Sequence, residues 1–221
     1  MKRNPFPTDE KGPRPTDLLQ RIHSEVVGPI TPASLGGNSY FVTFLDEFSN
    51  YVTVVPIRNK SDVFGEFKKF QAEVELSTGK KIKEFQSDQG GEFTSKEFEK
   101  HFSECGILHM MSVPRAHQQN GRSERQNETL MKVVRCLLIQ SGAPKTFWAE
   151  AVSTACYLRN LSPSASIAYQ IPFEIWHGRE LEEADLNRLK TSDVKYGAQF
   201  RNQENWGVGR KNVLCSVILK E

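Results

Sequence analysis

Cysteine is scarce in this chain. Four occur in 221 residues, at positions 105, 136, 156 and 215, and no two have a CxxC spacing. No zinc-site pattern is therefore visible. Cys136 and Cys156 stand in apolar helical stretches and read as buried free thiols, which suits a reducing compartment. Long apolar runs are also missing. No segment is apolar enough over enough residues to cross a bilayer, and the N-terminus carries no apolar signal segment. The expectation is a soluble, intracellular protein with no membrane partner. An excess of one charge is lacking too: 29 Lys and Arg stand against 27 Asp and Glu, a net of +2. A nucleic-acid binder of this balance must cluster its cations.

The cations are locally clustered. Lys80, Lys81 and Lys83 precede Asp88, and Arg115, Arg122, Arg125, Lys132 and Arg135 surround Glu124. A solvated charged face gives the same pattern. Hydrophobic residues are 38% of the chain, enough for one sizeable core plus extensions.

Residues 1–17 lack periodicity and read as a linker. Leu18 to Val27, Tyr40 to Phe44 and Tyr51 to Ile57 read as strands, the last two rich in β-branched and aromatic residues. The short Asp46–Asn50 connection predicts an antiparallel meander. Ser61-Asp62 opens a helix that stops at Ser77-Thr78-Gly79. Lys81 to Gln86 is a short strand, Ser95 to Cys105 a helix, and Ile107 to Val113 another strand. Gly121 to Gln140 is a long helix with an apolar stripe of Leu130, Val133, Val134, Leu137 and Leu138. Thr146 to Asn160 is a further helix. This order predicts an α/β domain, with one mixed five-stranded sheet and helices on both faces.

Two acids stand out. Asp88 lies in Ser87-Asp88-Gln89-Gly90-Gly91-Glu92-Phe93, at the end of a strand. Glu124 lies near the start of the long helix, with 35 residues between the two. At 100° per residue Glu124 sits roughly 110° from the centre of the apolar stripe, flanking the buried face. Acids delivered in this way can converge on divalent metal ions, an arrangement that cuts and joins phosphodiesters. Each has a plainer reading. Asp88 can close an Asx turn. Glu124 can complement the helix dipole.

Three stretches together resemble the integrase core of Ty1/copia-type LTR retrotransposons. They are His23-Ser24-Glu25-Val26-Val27-Gly28-Pro29, Ser87 through Phe93, and Pro114 through Asn127. Supporting matches are Ser39 through Asp46, Phe147 through Val152, and Pro172 through Trp176. The resemblance runs from about Arg21 to Gly178. It implies an RNase H-like, retroviral integrase-like fold, and a metal triad that processes DNA 3′ ends and joins them to target DNA. Two Mg²⁺ or Mn²⁺ ions about 4 Å apart are implied as cofactors. Asp88 matches the second acid and Glu124 the third. Glu25 stands where the family has its first Asp. Its side chain is one methylene longer, a displacement of roughly an ångström where about 0.5 Å is tolerated. A misplacement of that size can cost about 10²-fold in rate. Asp46 is a minor candidate stand-in, read first as a turn acid. His109 reads as a satisfied strand residue and His117 as DNA-facing.

The resemblance further implies DNA partners, transposon ends and target, a homo-oligomer when functional, and then a nuclear location. Gln118 to Gly121 reads as a mobile loop before the catalytic helix. Gln119, Asn120, Arg122, Arg125, Lys132 and Arg135 are the expected DNA contacts. The expected domains are a linker at 1–17, the catalytic core at 18–180 and a divergent extension at 181–221. The family's zinc-binding His/Cys set is not found before the core, so the chain reads as a polyprotein fragment or a domesticated copy. The competing function is an inactive relic that binds nucleic acid. An RNase H-type nuclease is the third reading.

Overall fold

The computed structural model describes residues 14–111 and 117–186, and the side chains of 117–123 lie outside that description. Five strands form one sheet: β1 (Arg21–Val27), β2 (Tyr40–Asp46), β3 (Val52–Ile57), β4 (Glu84–Ser87) and β5 (Leu108–Met111). Their spatial order is β3-β2-β1-β4-β5. β1, β2 and β3 form an antiparallel meander, while β4 runs parallel to β1 and β5 parallel to β4. The helices are α1 (Val63–Thr78), α2 (Lys96–Cys105), α3 (His117–Ser141), α4 (Trp148–Asn160) and the short α5 (Pro172–His177). The mixed sheet flanked by helices agrees with the sequence expectation.

Side-chain alternation splits the core into two layers. On β2, Val42 and Phe44 face one layer with α1 and α2, where they meet Phe67, Phe70, Phe85, Phe98 and Phe102. Phe41 and Leu45 face the other, with Leu130 and Val134 of α3 and Trp148 and Val152 of α4. Each fully buried ring or branched chain contributes about 1.5–3 kcal/mol. Phe85, on the strand that delivers Asp88, is 0% exposed and packs its ring against Phe67, Phe93 and Phe102.

The local signals at helix ends work as the sequence implies. Gly79 closes α1 with φ 68°, its N–H bonded to the Glu75 carbonyl. Ser95 caps α2 by accepting from the Phe98 N–H.

Several boundaries differ. The first strand starts at Arg21, because Leu18–Gln20 form a turn in which Leu19 has φ 61° and donates its N–H to Asp46 Oδ1. β4 starts at Glu84 rather than Lys81, and α4 at Trp148 after a 3₁₀ turn at Lys145–Phe147. The expected loop at Gln118–Gly121 is helical, since α3 begins at His117. Gly121 inside a helix costs about 1 kcal/mol relative to Ala, a small penalty against the packing of a 25-residue helix. Cys156 is buried as expected, but Cys136 is exposed because it lies off the Leu130–Val134 face. Among the described residues no helix is long and apolar enough to cross a membrane.

Candidate metal centre

Register brings Glu25 and Asp88 to the same end of the sheet. β1 and β4 are neighbours, with Arg21 opposite Glu84 and His23 opposite Gln86. That ladder ends two residues before Glu25 on β1, and Asp88 follows directly after the end of β4 at Ser87. Parity sets the face. Glu25 lies opposite Thr43, and Phe41 and Leu45, the odd residues either side of Thr43, face α3 and α4. Glu25 therefore points at α3. There Asn127 Nδ2 donates to Glu25 Oε2 at 2.8 Å. Glu124 is three residues earlier on the same helix, so it projects on the same side one turn away. β1 ends beneath a close contact: a Cβ on Gly28 (φ 136°) would lie 2.6 Å from Tyr40 Cδ1 and 2.7 Å from the Ser39 carbonyl oxygen.

Burial pushes the Glu25 carboxyl up to about 7. The hydrogen bond from Asn127 opposes that rise, and the charges of Glu124 and Asp88 add to it. Three carboxylates from two strand ends and a helix thus act on one another electrostatically. Two amide atoms beside them, Asn127 Oδ1 and Gln126 Nε2, are buried without a hydrogen-bond partner.

Asp88 carries the Asx turn its sequence permits. Its Oδ1 accepts from the Gly90 N–H at 3.0 Å. That does not compete with a metal role, because a carboxylate has several acceptor sites. The two acids crowd Gly90: an added Cβ would lie 2.9 Å from Asp88 Oδ1 and 2.8 Å from Glu92 Cδ. Glu92 receives Lys60 Nζ at 2.9 Å. Glu92 and Lys60 were not singled out from the sequence. The signal available was the acid at the end of the Asp88 motif. Asn127 was likewise quoted in a motif without a role.

The remaining candidates divide. Glu124, Arg125, Lys132 and Arg135 are exposed along α3, with Lys132 Nζ 3.5 Å from Glu128. Gln119, Asn120, Arg122 and His117 have side chains outside the described residues. Asp46 is a turn acid at the other end of β2. It accepts from the Leu19 and Ser49 N–H groups and from the Ser49 hydroxyl. His109 Nε2 lies 2.9 Å from Ser87 Oγ, and burial lowers its pKa.

Among the described residues, no three His, Cys, Asp or Glu side chains are disposed to hold a metal ion as placed. The donor chemistry nevertheless fits a hard divalent cation. Glu25, Asp88 and Glu124 offer only carboxylate oxygens, as Mg²⁺ prefers. Their mutual repulsion at Glu25 is the electrostatic condition a cation relieves.

Residues 19–117 match the family model described as integrase core domain. The chain is 41% identical over 205 residues to the retrovirus-related Pol polyprotein from transposon TNT 1-94 of Nicotiana tabacum. That match covers 93% of this chain and 15% of the relative. It is 33% identical over 174 residues to the Pol polyprotein from transposon RE1 of Arabidopsis thaliana, covering 78% of this chain and 12% of the relative. The chain therefore spans a small part of the polyproteins it matches. Among solved structures, the HTLV-2 integrase catalytic core domain in complex with magnesium superposes with TM-score 0.55 at 17% identity, over 73% of this chain and 99% of that one. A simian T-cell lymphotropic virus intasome in complex with PP2A regulatory subunit B56 gamma gives TM-score 0.61 at 16% identity, over 77% and 58%. These identities speak for the fold alone, which is the RNase H-like fold of retroviral integrase cores. By fold and by sequence, the chain belongs to the integrase core domains of copia-type retrotransposon Pol polyproteins.

Proposed function

We propose that this domain carries out metal-dependent DNA 3′-end processing and strand transfer, with Glu25, Asp88 and Glu124 as the ligands of two Mg²⁺ or Mn²⁺ ions. The observation that carries this reading is the Glu25 carboxyl, turned toward α3 and acted on by the charges of both Asp88 and Glu124. When bound, the ions supply activation of a water or DNA 3′-hydroxyl and stabilise the leaving oxygen. Asp88, Glu25 and Glu124 would together hold the ions through carboxylate oxygens. Glu25 would hold an ion as its carboxylate, in place of the hydrogen bond from Asn127. Asn127 holds Glu25 on the α3 side until then. Arg125, Lys132 and Arg135 line α3 beyond Glu124 and meet phosphates without reading sequence. The HTLV-2 core domain with magnesium supports the choice of ion. The same proposal takes in work on DNA ends as a homo-oligomer, with a nuclear location, on the strength of the family assignment.

A second reading, a nucleic-acid-binding relic, draws on one feature. Glu25 is one methylene longer than Asp, and burial raises its pKa. The test is an oligonucleotide strand-transfer and nicking assay with Mg²⁺ and with Mn²⁺. Asp88→Ala and Glu124→Ala should each abolish product. Undiminished product from Asp88→Ala would overturn the metal assignment.

A further inference from the structure

A fourth acid lies beside the candidate metal centre and carries its own counter-charge. Glu92 follows Asp88 by four residues, across the turn at Gly90. The Glu92 carboxylate and Asp88 Oδ1 both lie within 2.9 Å of one point, the Cβ that Gly90 lacks, so they are within about 6 Å of each other. The Glu92 side chain is only 8% exposed. It is followed by Phe93, which is fully buried in the core layer under α1 and α2. Among the described residues it pairs with Lys60, whose Nζ is 2.9 Å from Glu92 Oε1 and whose side chain is 48% exposed.

Lys60 reaches this point because of topology. It opens the 3₁₀ turn at Lys60–Asp62, just beyond the end of β3. β3 runs antiparallel to β2, and β2 antiparallel to β1. The end of β3 is therefore at the same edge of the sheet as the ends of β1 and β4. The hydrogen bond to Glu92 raises the Lys60 pKa, and the charge of Asp88 adds to the rise. Lys60 thus acts on both acids. Glu25 and Asn127 hold the α3 side of Asp88, while Glu92 and Lys60 hold the α1 side.

We propose that Glu92 and Lys60 are a charge-compensating positioning pair for Asp88, which together set how strongly this edge of the site attracts a divalent cation. This rests on the metal-dependent reading above. Glu92 adds a fixed negative charge within about 6 Å of Asp88. Lys60 cancels most of it, so that the site takes up an ion without holding it too tightly to exchange.

The opposite signs of the two charges give the test. Mn²⁺ binding to the full chain is measured by electron paramagnetic resonance for wild type, Glu92→Gln, Lys60→Met and the double variant. Glu92→Gln leaves Lys60 uncompensated and should weaken Mn²⁺ binding. Lys60→Met leaves Glu92 uncompensated and should tighten it. Each shift is on the order of tenfold, the scale of the Coulomb interaction between a unit charge and a nearby divalent ion in near-aqueous dielectric. The double variant should return to within about threefold of wild type, since the unit charges cancel. A merely structural pair would weaken binding in both single variants, and that result, or no change in either, overturns the proposal. Should Glu92→Gln not fold, a weakened or unchanged Lys60→Met decides against it and a tightened one for it. Asp88→Ala separates the two levels. If it leaves Mn²⁺ binding intact, the metal reading itself fails. If it removes binding while the pair variants do not move oppositely, only the role of the pair fails.

Discussion

Asn127 Nδ2 donates a 2.8 Å hydrogen bond to Glu25 Oε2 across 102 positions of sequence. It ties the long helix to the strand that carries the first acid. Asn127 is 5% exposed, so its amide is held in place by packing. Asn127→Ala removes the donor and should cost about 1–2 kcal/mol, read as a melting temperature lower by about 2–4 °C per kcal/mol. Asn127→Asp faces Glu25 with a second carboxylate, and its loss should be larger at pH 8 than at pH 5.

Glu25 links stability to pH. Burial, with the charges of Glu124 and Asp88, raises its carboxyl from 4.5 to about 7. A raised folded-state pKa means that the native chain binds the proton more tightly than the unfolded chain. The stabilisation is complete below pH 4.5 and is lost as pH rises to about 7. A shift of this size corresponds to at most about 3 kcal/mol, and nearer 1–2 after solvent screening of a partly exposed group. Glu25→Gln keeps an acceptor for Asn127 and removes the titration. Urea titrations at pH 5 and pH 8 without metal should show wild type losing stability across that range, with Glu25→Gln losing less.

The same proton competes with metal. Mn²⁺ uptake should release a proton from Glu25, so apparent affinity should rise between pH 6 and pH 8 and level off above, over the range set by a carboxyl near 7. Isothermal titration in buffers of different ionisation enthalpy measures the proton. A flat profile would remove Glu25 from the ligand set.

Shortening the first acid tests what its length costs. Glu25→Asp withdraws the carboxylate by one methylene, away from Asn127 and toward the strand edge. Metal-dependent strand transfer should rise by about 10²-fold if misplacement limits the natural chain. Equal, robust activity in both proteins would show that Glu25 is no handicap. Product only from the Asp variant would place the natural chain with the relics.

Arg125 and Arg135 are exposed on α3 and are assigned to phosphates in the proposed function. Replacing either by Ala should weaken duplex binding almost equally across sequences. Each should also reduce the slope of log affinity against log salt by about 0.9. Fluorescence anisotropy over a salt series reads both. A change confined to one sequence would argue for base contacts instead.

Much of the fold was legible because its signals are local. Gly79 and Gly106 stop helices with positive φ, Ser95 caps α2, and β-branched residues mark β2 and β3. What failed was decided at a distance. Leu19 leaves the strand because its N–H is taken by Asp46, 27 residues away. Gln118–Gly121 joined α3 because helix extension from a packed segment outweighs one glycine. Cys136 was expected inside on apolar neighbours alone, yet the face that packs runs through Leu130 and Val134.

By itself the sequence determined the layers and the candidate acids. Alternation and helical periodicity depend on near neighbours, and the motifs around Glu25, Asp88 and Glu124 are contiguous stretches. Only the tertiary structure decided which groups act on those acids. Asn127 reaches Glu25 because parity turns residue 25 toward α3. Lys60 reaches Glu92 because three strands bring the end of β3 to the edge where β4 delivers Asp88. Burial that lifts the Glu25 carboxyl, and the charges that share its space, are properties of packed surfaces, which no spacing along the chain encodes.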